Sequence, residues 1–205
     1  MVATACFIVG LCSIGLQAAA PPTDSKKTPV PAAAGVPDGA AVHDTAGGKL
    51  ALTGITLTVP PAWKAQEIPA APMAPKAIFT IPPQKPGEGE GSIRITHYPE
   101  MKGKDDMNID RWVGQVAKTD RAPSTRADAK IEKSETGNIR ITTVDLTGSV
   151  KMTMKDMAKP DHRMIAAILD HPKGPHFVVA AGPAASMKIW STDILNFLKS
   201  AKVAE

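Results

Sequence analysis

The stretch from Arg163 to Lys199 constrains the fold more than any other part of the chain. An apolar run, Met164 to Leu169, leads into the turn sequence Pro172-Lys173-Gly174-Pro175 and then into a second apolar run, Phe177 to Ala180. Two short apolar runs joined by prolines and a glycine predict a β-hairpin, because these residues supply turn dihedrals that strand residues do not adopt.

A helix is predicted directly after this hairpin. Pro183 suits its first turn, because proline has no N–H to leave unpaired there. The apolar residues that follow recur at spacings of three and four and therefore share one face of a helix: Met187, Trp190, Ile194, Phe197, Leu198 and Ala201. We expect this stripe to cover the sheet to which the hairpin belongs.

The middle of the chain carries further strand patterns. Ile55 to Val59 alternates with period two and ends at Pro60-Pro61, since proline cannot donate to a strand ladder. Trp63 follows and is expected to plug the core at the end of the sheet, with a ligand platform as the alternative. The other strand patterns are Ala77 to Ile81, Ser92 to Tyr98, Lys130 to Glu135 and Ile139 to Met154.

The longest of these patterns predicts a strand with one face on the core and one in water. Along this pattern the even-numbered positions hold mostly apolar residues, whereas the odd-numbered positions include polar residues such as Thr143, Asp145, Thr147 and Lys151. The apolar parity consists of Val144, Leu146, Val150, Met152 and Met154.

A second helix is predicted between the strands. Asn108 is a good N-cap, and Ile109, Trp112, Val113 and Val116 would share one face of the helix that it begins. Asp105-Asp106 come just before, where negative charge favours the positive end of the helix dipole.

These elements define the fold class. Short connections favour antiparallel neighbours, so we expect an α+β domain with a mostly antiparallel sheet of about six or seven strands. Two flanking helices would pack Trp112 and Trp190 against it.

The first residues have the character of an export signal. Val2 to Ala20 is apolar and uncharged and ends in small residues, which predicts a signal peptide over residues 1–20. The alternatives are an uncleaved membrane anchor and a lipid on Cys12 or Cys6. We expect an exported chain, periplasmic or extracellular, with anchoring at the envelope as the alternative.

The remainder divides into a linker and a domain. Residues 21–48 are rich in Pro and Ala without apolar periodicity, which predicts a disordered tether, and 49–203 are expected to form a single α+β domain. Both cysteines of the sequence lie in the predicted signal, so the mature chain would have no disulfide.

The charge pattern bears on partners. The net charge is +4, but lysines alternate with acids and form no dense basic block, so no nucleic-acid partner is expected. We expect a protein partner at the cell envelope, and no integral membrane span after the signal is removed.

His171 and His176 are the candidate metal ligands. They flank the Pro-Lys-Gly-Pro turn, and residues opposed across a hairpin have Cβ atoms about 5 Å apart, close enough to share an ion. Asp170, and His162 with Asp161, could add ligands. The competing interpretation is that His171 and His176 are exposed polar residues of a turn.

A methionine run offers a second metal hypothesis. Met152, Met154 and Met157 resemble thioether clusters that hold copper(I), because soft sulfur selects a soft ion. Core packing is the alternative, since Met152 and Met154 continue the apolar parity of their strand.

No pattern in the sequence predicts catalysis. Ser186 and Ser191 lack a G-x-S-x-G elbow, and the Gly-rich segment around Pro86 to Gly91 lacks the lysine of a phosphate cradle. We therefore expect no enzyme, no cofactor and a plain, mobile hairpin loop at 86–91.

Several of these motifs together resemble a known group. The segment Val59 to Trp63, the Trp112 helix and the ending Gly182 to Trp190 are similar to small exported bacterial proteins of unknown function. Their layout resembles the PsbP-like α/β/α sandwich of photosystem II extrinsic proteins and of a nuclear Ran-binding factor. The resemblance covers Leu50 to Lys202 and brings no shared catalytic residues.

What the resemblance implies is a binding or accessory role. The sequence-based hypothesis is thus a non-enzymatic exported accessory or binding domain. The alternative is a periplasmic metal-binding protein that uses His171 and His176, or Met152, Met154 and Met157.

Overall fold

The computed structural model describes residues 48–68, 70–152 and 157–204. The predicted signal peptide, both cysteines and the linker up to residue 47 lie outside these residues, as does Met154.

Strands dominate the described part of the chain. In chain order they are β1 (Lys49–Leu52), β2 (Ile55–Thr58), β3 (Lys64–Ala65), β4 (Ala77–Ile81), β5 (Gly91–His97), β6 (Val116–Ala117), β7 (Lys130–Thr136), β8 (Ile139–Val150), β9 (Lys159–Asp170), β10 (His176–Pro183) and β11 (Lys202–Val203). The helices are α1 (Asp105–Val113) and α2 (Ala184–Lys199).

The strands form two antiparallel sheets. The main sheet has eight strands in the order β3-β4-β5-β10-β9-β8-β6, with β7 paired to β8 outside that path. The small sheet has the order β1-β2-β11. The predicted hairpin is confirmed as β9 and β10, which pair from His176 opposite Leu169 to Pro183 opposite His162.

The predicted fold class, α+β with a mostly antiparallel sheet and two helices, is confirmed. The main sheet exceeds the expected six or seven strands because the short β3 and β6 add to its path. The predicted strand at Ile55 to Val59 does not belong to it. As β2 it pairs with β1 and β11 instead.

The main sheet separates two hydrophobic cores. On β9, Ile165, Ala167 and Leu169 belong to the first core, which also contains the buried residues of α2 and of the small sheet. Met164, Ala166 and Ile168 alternate with them and belong to the second core, with the buried residues of α1. Because side chains alternate across a strand, one continuous strand builds both cores.

The helix after the hairpin is confirmed, and its whole predicted stripe is buried. Trp190 is 8% exposed, and its indole Nε1 donates to the Pro82 carbonyl at 3.0 Å. Trp63 is a core residue, as predicted, with its ring centroid 5.2 Å from that of Phe197.

The prediction for β8 was only half right. Val144, Leu146 and Val150 lie in the second core as expected. The other parity is not all in water, because Ile139 and Ile141 lie in the first core.

The start of α1 was predicted wrongly. The helix begins at Asp105, so Asn108 is inside it and is buried, and its amide Nδ2 donates to the Lys104 carbonyl at 2.9 Å. Asp105 and Asp106 occupy the first turn, where their charge favours the helix dipole. Trp112 is 1% exposed and its ring meets Phe177 edge-on, with centroids 6.2 Å apart.

Candidate functional site

The β9–β10 turn packs against the segment that follows β5. Lys102 Nζ donates to the Pro172 carbonyl at 3.3 Å, and His97 Nε2 is 3.1 Å from the Lys173 carbonyl. Since a carbonyl only accepts, His97 Nε2 must carry the proton of that bond. Gly174 has φ +108°, and a Cβ there would lie 2.6 Å from Pro99 Cα. Only glycine allows this close approach.

The histidines at this end of the sheet are arranged differently from the sequence prediction. His176 is opposite Leu169 on β9 and opposite His97 on β5. The rings of His97 and His176 stack, with centroids 4.4 Å apart and planes 20° apart. His171 is not the cross-strand partner of His176, because β9 ends at Asp170 and His171 belongs to the turn.

His171 has a local role within the turn. Its Nδ1 accepts a hydrogen bond from the Lys173 amide at 3.2 Å, and it is 4% exposed. The interpretation of His171 and His176 as exposed polar residues is therefore wrong for both, since His176 is 0% exposed.

The environment disfavours the charged form of these histidines. Burial, followed by the nearby charges of His97, His171 and Lys76, lowers the pKa of His176 to about 3. Burial also lowers the pKa of His97 and that of His171. Both ring nitrogens of His176 are buried and lack a hydrogen-bond partner among the described residues. A buried polar group without a partner is unusual in proteins.

The additional ligands suggested by the sequence are not brought to this place. Asp161 and His162 lie near the start of β9, and His162 faces Pro183 at the far end of β10. At about 3.3 Å per residue, β9 places them more than ~20 Å from His171. The Asp170 carboxylate accepts a hydrogen bond from Arg140 Nη2.

The metal hypothesis therefore stays a prediction. Within residues 48–68, 70–152 and 157–204, no group of three histidine, cysteine or acidic side chains is arranged to hold a metal ion. Stacked imidazoles point their ring nitrogens along nearly parallel planes, so His97 or His176 would have to turn before both could bind one ion.

The methionine run is spread over different environments. Met152 packs against the second core, as the packing alternative predicts, whereas Met157 is 88% exposed. Met154 lies outside the described residues. Copper binding by Met152, Met154 and Met157 stays a prediction.

A different set of methionines, which no sequence pattern predicted, lines one cleft. The cleft has a volume of about 320 Å³. It is called the methionine cleft below and is lined by Met73, Tyr98, Met101, Met107, Asn108 and Arg111, with Glu100 also at its wall. Tyr98 and Met101 pack against the second core and form its inner side. Met73 and Met107 are 72% and 52% exposed and form its rim.

Met73 is held in a strained conformation at this rim. Its φ is +61°, a value that residues other than glycine rarely adopt, and the Tyr98 hydroxyl donates to its carbonyl at 3.3 Å. Strain of this kind costs about 1–3 kcal/mol and is concentrated at functional sites.

Arg111 supplies the positive charge of the methionine cleft. Its Nη2 donates to Asn108 Oδ1 at 3.1 Å, and its guanidinium carbon lies 5.8 Å from the centroid of the Trp112 ring. Burial lowers the pKa of Arg111, and the nearby Tyr98 acts in the opposite direction. Among the ion pairs of the described residues, Arg111 does not take part in any.

A second, polar cleft of about 390 Å³ lies between the start of α1 and strands β7 to β9. Its charges largely offset one another, because Arg140 pairs with Asp170 and the remaining charges at its wall are the acids Asp105 and Glu135 and the cation Lys133. Burial, and next the charge of Asp170, raises the pKa of Asp105. This cleft is therefore polar without a dominant charge.

Ser186, the serine considered for hydrolysis, has a structural partner. It is 1% exposed, and its Oγ donates to Glu88 Oε2 at 3.0 Å. This bond ties the 86–91 loop to the first turn of α2.

The missed residues left little signal in the sequence. His97 is recognisable only as a residue near the end of the predicted strand Ser92 to Tyr98, and Met73, Met101 and Met107 lie in separate segments. The one local signal for the cleft was Met73, the single methionine of the Pro- and Ala-rich stretch Ile68 to Pro75.

Among the described residues, no helix combines the length and the apolar composition needed to span a bilayer.

Comparisons with known proteins give similarities only among solved structures. No protein-family model matches the chain, and no curated protein does. One matching structure is a protein of unknown function from Pseudomonas aeruginosa, described as a suggested regulator. It has 11% identity and a TM-score of 0.45 and covers 82% of this chain and 99% of its own.

A second matching structure is the cyanobacterial PsbP, CyanoP, from Synechocystis sp. PCC 6803. It has 15% identity and a TM-score of 0.47 and covers 86% of this chain and 100% of its own.

Proposed function

We propose that this chain is a non-enzymatic accessory domain that is exported and binds another protein at the cell envelope through the methionine cleft. The observation that carries the proposal is the exposure of apolar side chains at that cleft. Among the described residues, five large hydrophobic side chains are exposed, and two of them, Met73 and Met107, line this one cleft. Exposed apolar groups gathered at one place are typical of binding surfaces.

Methionine suits such a surface. Its unbranched, polarisable side chain adapts to irregular partner surfaces. Support for export comes from the apolar, uncharged stretch Val2 to Ala20.

The test is photo-crosslinking in cells with the full chain. A photoreactive amino acid is placed at Met73 or Met107, and the control position is Ile189, which is 49% exposed on α2. We expect a discrete crosslinked product in the envelope fraction from positions 73 and 107 but not from 189. Equal products from all these positions, or none, would contradict protein binding through the cleft.

A metal-binding function is the second candidate, because His176 buries two ring nitrogens without partners. Its site would be His171 and His176, with His97 as the neighbour. Calorimetric titration of the purified mature chain with Zn²⁺ should give a binding isotherm that His171→Ala weakens and that His162→Ala leaves unchanged. An isotherm unaffected by His171→Ala would remove this candidate.

A further inference from the structure

The methionine cleft contains one feature that a purely apolar contact surface would not need. Arg111 brings a full positive charge to a wall made mainly of methionine and tyrosine side chains, together with Asn108 and the acid Glu100. Its hydrogen bond goes to the neutral Asn108 Oδ1, and it belongs to no ion pair among the described residues. The Arg111 side chain is exposed at the cleft, so its guanidinium is open to an acidic ligand without first breaking an ion pair.

The guanidinium is also held in place. The contact with the Trp112 ring and the bond to Asn108 restrict its position, and Asn108 is itself fixed by its bond to the Lys104 carbonyl. A guanidinium has five N–H donors in a planar fork that matches a carboxylate. One donor is engaged by Asn108, which leaves others to receive an acid.

The acid at the wall, Glu100, restricts how a ligand can be oriented in the cleft. Glu100 lines the same cleft but makes no ion pair with Arg111. Its negative charge would repel a second carboxylate, so an acidic ligand must place its carboxylate at the Arg111 side. The apolar part would then lie against the methionines.

The size of the cleft restricts the ligand further. A volume of about 320 Å³ is at the low end of small-ligand sites and suits one amino-acid residue better than a continuous helix or strand. A chain end offers an apolar side chain and a carboxylate on the same residue, which is the combination that these walls match.

We infer that the methionine cleft binds the C-terminal residue of a partner protein, with an apolar side chain against Met73, Met101 and Met107 and its carboxylate on Arg111. This inference rests on the proposed function, because it names the part of the partner that enters the cleft. The strained backbone of Met73, with φ +61°, then holds the rim side chain in position for the incoming residue.

The experiment is a methyl NMR titration of the mature chain labelled at its methionine methyl groups. The probes are an acetylated tripeptide that ends in leucine with a free carboxylate, the same tripeptide as the amide, and hexanoate as an apolar acid without a peptide. The resonances of Met73, Met101 and Met107 report on the cleft, and those of Met157 and Met187 serve as internal controls.

We expect the free-carboxylate peptide to shift the cleft methyl resonances and the amide to bind about tenfold more weakly, as the loss of one charge-assisted hydrogen-bonded pair would give. Arg111→Met should remove this difference, and Arg111→Lys should keep part of it. Arg94→Met, which changes an exposed arginine on β5 outside the cleft, should behave like the parent.

Two results would overturn the inference. One is equal binding of the acid and the amide, or an acid preference that survives in Arg111→Met. The other is tighter binding of hexanoate than of the peptide, which would indicate a small apolar acid as the ligand. If crosslinking at Met107 succeeds while the acid preference is absent, the proposed function stands and only this inference fails. If crosslinking also fails, both fail.

Discussion

The burial of His176 couples the stability of the fold to pH. Burial and nearby charges lower its pKa to about 3, whereas a histidine in an unfolded chain titrates near 6.5. Between these values the unfolded chain holds a proton that the folded chain does not. The free energy of unfolding therefore has its full value above about pH 6.5 and falls as the pH drops towards 3.

Replacing this ring should weaken that dependence. Between pH 7 and pH 5, we expect the free energy of unfolding of His176→Leu to fall by about 2 kcal/mol less than that of the parent. At pH 7 it should be about as stable as the parent, because the ring has no hydrogen bond to lose. Urea denaturation at both pH values measures this, and parallel losses in the two proteins would contradict it.

The turn glycine Gly174 offers a second test at a single position. Gly174 and Gly87 both have positive φ, +108° and +86°, so alanine strains the backbone at either place. A Cβ at 174 would also meet Pro99 Cα at 2.6 Å, whereas a Cβ at 87 would meet nothing within 4 Å.

We expect Gly87→Ala to cost about 1 kcal/mol of unfolding free energy and Gly174→Ala about 3 kcal/mol or more. Thermal and urea denaturation give both numbers. Similar costs for the two variants would show that the turn does not depend on its close approach to Pro99.

Among the strands and helices, the bond between Ser186 and Glu88 connects the β4–β5 loop to α2. The glycine-rich sequence of this loop predicts a mobile turn, but Ser186 Oγ donates to Glu88 Oε2 at 3.0 Å from a buried position on α2. Ser191, on the same helix, bonds only locally to the Lys188 carbonyl at 2.7 Å.

Ser186→Ala should therefore lower the free energy of unfolding by about 1–2 kcal/mol and speed amide hydrogen exchange in residues 86–91. Ser191→Ala is the matched control, and it should be neutral or slightly stabilising because alanine favours the helix. Unchanged exchange in the loop of Ser186→Ala would mean that other contacts hold it.

The sequence predicted the elements whose signals are local. The β9–β10 hairpin and α2 depend on the Pro-Lys-Gly-Pro turn and on an apolar stripe, and both are visible within a few residues. The pairing of β2 was missed, because alternation shows that a strand is half buried but not which strand lies beside it. The start of α1 was missed because Asn108 suits a cap as well as a bond to the Lys104 carbonyl inside a helix.

The candidate sites were less predictable for a related reason. His171 and His176 are close in sequence, but the neighbour of His176 is His97, which β5 brings across from a distant part of the chain. The methionine cleft likewise joins the loop of Met73, the turn of Met101 and the helix of Met107. Such sites depend on the order of strands in the sheet, which periodicity does not encode.

Taken together, the described elements share one sheet between two cores. Trp112 lies in the second core, and Trp63 and Trp190 lie in the first. β8 and β9 send alternate side chains into both cores. If these strands separate, both cores therefore lose packing contacts at the same time. We therefore expect the described part of the chain to unfold in one cooperative step.

Tryptophan fluorescence can test this because the tryptophans are divided between the cores. In Trp112→Phe the remaining signal comes from the first core, and in the double variant Trp63→Phe, Trp190→Phe it comes from the second. Each replacement changes stability by itself, so fluorescence must be compared with far-ultraviolet circular dichroism of the same variant. In a two-state protein both signals give the same urea midpoint. A lower urea midpoint for Trp112 fluorescence than for the dichroism would mean that α1 detaches while the sheet persists. The methionine cleft beside α1 would then open before the domain unfolds.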